Sequence, residues 1–134
     1  RYISVTGVQT CALPISRDDR TWAMKWLIDA PDVSVSVCLD SLGALADSDY
    51  AYAPEIVIQY TVAMGAFVIE HPQEAGDDET KQLAGVESAL AAYRSILRDK
   101  PESKSAVLDG LLATQAQGGL PAFIHEASVR CSKA

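Results

Sequence analysis

Two histidines, two cysteines on apolar faces and a short run of acids are the residues of this chain best equipped for chemistry. His71 precedes Pro72 and is followed by Glu74, Asp77, Asp78 and Glu79. Carboxylates beside an imidazole favour its charged form and can share a cation, so this loop has the makings of a metal or general-base site. The plainer assignment is a helix C-terminus at which His71 meets the negative end of the dipole, followed by a solvated acidic loop that caps the next helix. The plainer assignment is preferred here. His125, His71, Cys38 and Cys131 are the residue types of a zinc site, but none stands at ligand spacing from another. As a pair, Cys38 and Cys131 either close a loop of over ninety residues as a disulfide or stay two free thiols on buried faces. Sequence alone leaves that choice open.

Two further groupings have simple explanations. Asp40, Asp47 and Asp49 resemble part of a calcium loop that lacks its glycine and closing glutamate. They read better as solvated acids. Trp22 and Trp26, four apart, share one helical face and suit a core anchor more than a binding platform. The chain has no Gly-x-Gly-x-x-Gly, no Gly-Lys-Ser/Thr phosphate loop, no Gly-x-Ser-x-Gly, no His-Glu-x-x-His and no Cys-x-x-Cys. No residue is therefore nominated as catalytic, cofactor-binding or metal-ligating, and the fold is expected to form without zinc or calcium.

The elements that must position these groups belong to one domain of modest size. The chain has 134 residues, a net charge of −7, 49% hydrophobic content and 22% charged content. That apolar share is too high for a disordered chain. The acidic balance argues against nucleic acid as a partner. No uninterrupted apolar run is long enough to span a bilayer.

The segment Val5 to Ile15, VTGVQTCALPI, resembles one reading frame of a short-read sequencing adapter, residue for residue. On that resemblance residues 1–16 are not native sequence and are excluded from fold reasoning. The exclusion removes Cys11 and Arg1, and the net charge of the remainder becomes −8. Residues 17–134 are then expected to form a single helical domain whose native start is missing.

Prolines and glycines divide that domain into helices. Arg17 to Asp29 opens with two acids and stops before Pro31. Asp32 to about Asp47 is expected to be a second helix, because Val35, Cys38, Leu42 and Leu45 recur at three- and four-residue steps. The alternation of Val33, Val35 and Val37 with serines is the competing strand pattern. Pro54 and Glu55 start a third helix whose run from Ile56 to Ile69 reads as a buried core helix. A strand there is its alternative, given the β-branched residues. Asp77 or Asp78 caps a helix to about Asp99, with Leu83, Val86, Leu90, Tyr93 and Leu97 as its inward stripe and Lys81 and Gln82 off it. Ser103 to Gln117 forms the next helix, stopped by Gly118-Gly119. Pro121 opens the last, with Leu120, Phe123, Ile124, Ala127 and Cys131 inward.

The expected fold is all-α, five or six short helices packed as antiparallel hairpins. Its alternative is α+β with strands near 33–39 and 56–62. Ala89 to Pro101 resembles the second helix of a tetratricopeptide repeat, but Pro72 and Pro101 stand 29 residues apart and the repeat's first-helix motif is missing. No family is read from it. The expected function is a non-catalytic helical scaffold or interaction module whose partner is another protein or upstream chain. The accessory part of a larger enzyme is the alternative.

Overall fold

The computed structural model describes residues 17–133; the adapter-like stretch lies outside them. The order of elements is α1 (Arg17–Asp29), a stretch without regular structure over residues 33–38, 3-10 turns at Leu39–Leu42 and Leu45–Asp47, α2 (Ala53–Glu70), a 3-10 turn at Pro72–Glu74, α3 (Asp78–Asp99), α4 (Ala106–Ala116) and α5 (Leu120–Ser132). The fold is all-α, with no strand among the described residues.

The α2–α3 hairpin is the centre of the molecule. Pro54 sits in the first turn of α2, where its missing N–H costs nothing. The helix runs four residues longer than the apolar stretch Ile56–Ile69 that announces it. Its length and composition would suffice to cross a membrane, and 61% of it is buried inside the protein. Ile56, Tyr60, Val62 and Met64 have no exposed surface. Against them α3 sets Val86, Leu90 and Tyr93, also fully buried, with Leu83 and Leu97 at the edges of the stripe. Gly85 lets the two helices approach: a β-carbon there would lie 2.7 Å from Tyr60 Cδ1 and 2.9 Å from the Tyr60 carbonyl. Asp77 rather than Asp78 caps α3, accepting from the Thr80 backbone N–H at 3.1 Å and the Thr80 hydroxyl at 2.7 Å. Those bonds hold its carboxyl below the usual carboxylate range.

Two residues expected on the solvent side of α3 are buried. Lys81 lays its stem against the protein and pairs with Asp78 at 2.9 Å. Gln82 lies inside because its side-chain oxygen accepts from the hydroxyls of Ser41 at 2.7 Å and Ser128 at 3.2 Å. Apolar periodicity cannot find such a residue, since what draws it inward is hydrogen bonding from two distant segments.

The helix expected over 32–47 does not form. Residues 33–38 take no regular secondary structure, Cys38 is extended, and the chain then folds through two 3-10 turns. β-Branched Val33, Val35 and Val37 favour the extended form. The periodicity still marked real core positions: Cys38, Leu42 and Leu45 are all buried. The short repeat of 3-10 turns brings residues three apart to one side, which reproduces helix-like spacing. Gly43 joins the two turns at φ 66° and ψ −143°, a conformation that only glycine adopts without strain. The strand alternative fails too, because residues 33–37 find no pairing partner among the described residues.

Ser105 caps α4 through the Leu108 N–H, and Leu108 and Leu111 point inward. Gly118, at φ 74°, turns the chain into α5. Leu120, Ile124 and Ala127 bury the inner face of α5. α1 packs on α2, where Ala23 joins Val62 and Ala63 in a small second cluster with Met24 and Trp26 at its edge. The core-anchor reading thus holds for Trp26, whereas Trp22 is 42% exposed.

Candidate functional site

The two cysteines meet. Cys38, at the end of the irregular stretch, is bonded to Cys131 in the last turn of α5, with Cα atoms 6.0 Å apart. Of the two open readings, the disulfide replaces the free thiols. The same end of the stretch is held from the other side by Tyr60. Its phenol donates to the Cys38 carbonyl at 3.2 Å and accepts from the Cys38 N–H at 3.3 Å. Arg130 adds an ion pair with Asp40 at 3.2 Å. The C-terminal end of the stretch is thus fixed from two sides, by Tyr60 of α2 and by the last turn of α5.

The rest of the stretch is bound far less. Val35 packs against the main core and Val33 is half-buried, while Ser34, Ser36 and Val37 are exposed. None of the backbone N–H or C=O groups of residues 33–37 bonds to another described residue. A β-prone backbone is thereby left without hydrogen-bond partners among the described residues.

The histidines do not assemble a site. His71 stacks on Phe67 with ring centroids 4.6 Å apart and lies 3.1 Å from Glu70 and 3.5 Å from Glu74. It ends α2, and its N–H bonds to the Phe67 carbonyl, as the capping assignment requires. His125 of α5 instead meets Glu79 in the first turn of α3 at 2.8 Å. Among the described residues no group of three His, Cys, Asp or Glu side chains is placed to hold a metal ion. Asp40 is taken by Arg130, and Asp47 and Asp49 are exposed.

Sequence reasoning missed a tyrosine network. Tyr93 accepts from the Ser105 N–H at 2.8 Å and donates to Asp109 at 2.7 Å, tying α3 to the cap of α4. Tyr50 packs edge-on against Tyr93 and donates to the Ser103 carbonyl at 3.0 Å. Tyr50 and Tyr52 line an open groove of about 500 Å³. The Tyr50 and Tyr93 hydroxyls are spent on loop anchoring. The only sequence signal was that a buried tyrosine needs a partner, and it does not say which.

This network predicts an alkaline transition. Burial pushes the Tyr50 phenol up to about 12, with Tyr93, Tyr52 and Asp109 adding to the effect. Burial also raises Tyr93 and Tyr60 above the ordinary value of 10.0. A phenol whose pKa is raised on folding stabilises the fold fully below its unfolded pKa and loses that contribution as pH climbs through the folded one. Tm should hold until about pH 10 and fall between pH 10 and about 12, the window set by Tyr50. Tyr50→Phe should flatten that fall. Thermal melts of the variant that decline as steeply as the parent's would contradict the assignment.

No family model, no curated protein and no solved structure matches this chain.

Proposed function

We propose that the chain is a non-catalytic, disulfide-stapled helical module that works in an oxidising compartment by docking an extended basic segment of another protein along residues 33–37. The observation that carries this reading is the stretch itself, with β-branched side chains, backbone groups that meet no partner among the described residues, and one end fixed by Cys131 and Tyr60. An unpaired extended edge is the template on which a peptide adds as a strand, with main-chain bonds supplying affinity and alternate side chains supplying selectivity. Fixing one end in advance reduces the ordering cost of binding. Exposed Asp29 and Asp32 lie at the free end of the stretch, and the chain's net charge is −7. A basic partner is therefore favoured by charge complementarity. The disulfide supports the compartment, since such bonds persist where the surroundings oxidise thiols.

A synthetic peptide of alternating valine and lysine tests this by fluorescence anisotropy. Binding is expected, and it should vanish when alternate peptide nitrogens are methylated, which removes backbone donors and keeps charge. Equal binding of both peptides, or of neither, would overturn the reading. So would sedimentation showing a tight dimer, because a second copy would then occupy the edge.

A further inference from the structure

The Cys38–Cys131 bond is supported very differently at its two ends. On the Cys38 side, both the backbone N–H and the carbonyl are bonded to the Tyr60 phenol, and Tyr60 has no exposed surface. Ser41, Leu42 and Leu45 follow, all buried, and the Ser41 hydroxyl donates to Gln82 at 2.7 Å. Cys38 itself is 3% exposed. None of these contacts runs through its sulfur. On the other side, Ala127 is the last buried residue of α5. Val129, Arg130, Ser132 and Lys133 are exposed, and Cys131 is half-buried. Apart from the disulfide, the polar tie from residues 129–133 to the body is the Arg130–Asp40 pair at 3.2 Å, whose side chains are 52% and 49% exposed. Ion pairs so open to solvent hold little, and a helix end with few other contacts frays unless it is tied down.

We propose that this bond is a redox latch on the end of α5: reduction by a dithiol frees residues 129–133 and leaves Cys38 and the helical body in place. The inference stands on the disulfide and its surroundings, independently of any peptide docking along residues 33–37. A thiolate of the dithiol attacks the sulfur of Cys131, the more accessible of the two. The S–S bond breaks, and its electron pair goes to the Cys38 sulfur, which takes a proton from water. The second thiolate of the reductant then displaces Cys131, whose sulfur is protonated in turn. The dithiol ends as a disulfide, having supplied two electrons. The Cys38 sulfur lies 3.5 Å from the carbonyl oxygen of Ala127, which gives the new thiol an acceptor where it already stands. The Cys131 thiol leaves with the frayed turn. Two thiols of unequal reach result, one parked inside the fold and one carried on a loose end.

The full chain, oxidised and then reduced with dithiothreitol at neutral pH, tests this by amide hydrogen exchange and by iodoacetamide labelling read at each cysteine. Reduction should lower the protection of the residue 130–132 amides by about tenfold or more, while the Cys38 amide and the core of α2 and α3 keep theirs. Cys131 should label at least about tenfold faster than Cys38 in the reduced protein. Cys131→Ser, which opens the latch without reductant, should show the same local loss of protection. Unchanged protection at residues 130–132, equal labelling of the two cysteines, or loss of protection spreading through α2 and α3 would each overturn the proposal.

Discussion

Replacing both cysteines, Cys38→Ser with Cys131→Ser, is expected to lower stability by about 4–5 kcal/mol, the loss expected from reopening a loop of this length. The bond joins residues 93 apart, so it constrains most of the described chain when unfolded. It also attaches a stretch that has no backbone partner of its own at residues 33–37. Domains of this size are stable by about 5–15 kcal/mol in total, so the loss would take a large share of the reserve. Urea unfolding of the parent and the double variant measures the difference, with the slopes compared so that a change in the unfolded state is recognised. A shift below about 1 kcal/mol, the effect of an ordinary substitution, would mean that the bond restrains little.

Leu90→Ala should cost about 2–5 kcal/mol, the range for truncating a fully buried leucine. Leu90 has no exposed surface and belongs to the cluster that joins α2, α3, α4 and α5. The space left would be walled by large side chains held in place from several helices. Collapse into it should be incomplete, which puts the cost toward the upper part of that range. The triple variant, Cys38→Ser and Cys131→Ser with Leu90→Ala, should be largely unfolded in water. A nearly unchanged denaturation midpoint for Leu90→Ala would show that the α3 stripe is wrongly placed.

Where local chemistry and the apolar pattern agreed, the fold was legible in the sequence. The C-terminal end of α1 follows from Pro31, and α3 begins one residue after Asp77, a side chain able to cap it. Pro54 and Gly118 mark the start of α2 and the end of α4 for the same kind of reason. The stretch 32–47 was misread because two local signals conflicted and a distant contact decided between them. Valines favoured extension, three- and four-residue spacing favoured a helix, and the bond to Cys131 with the Tyr60 contact holds Cys38 in extended, non-helical backbone. The candidate site was legible only in its ingredients. Cys38 and Cys131 were visible as a possible pair, but proximity across 93 residues is a property of the fold.

Residue-resolved amide hydrogen exchange on the oxidised chain tests the docking edge most directly. The Cys38 amide, bonded to the Tyr60 phenol, should be protected, while the amides of residues 33–37 exchange at nearly unprotected rates. Adding the alternating valine–lysine peptide should then slow exchange at alternate positions of the stretch, as pairing along one edge requires. Residues 33–37 already as protected as Cys38 in the free protein would contradict the account, because the edge would have no free groups to offer.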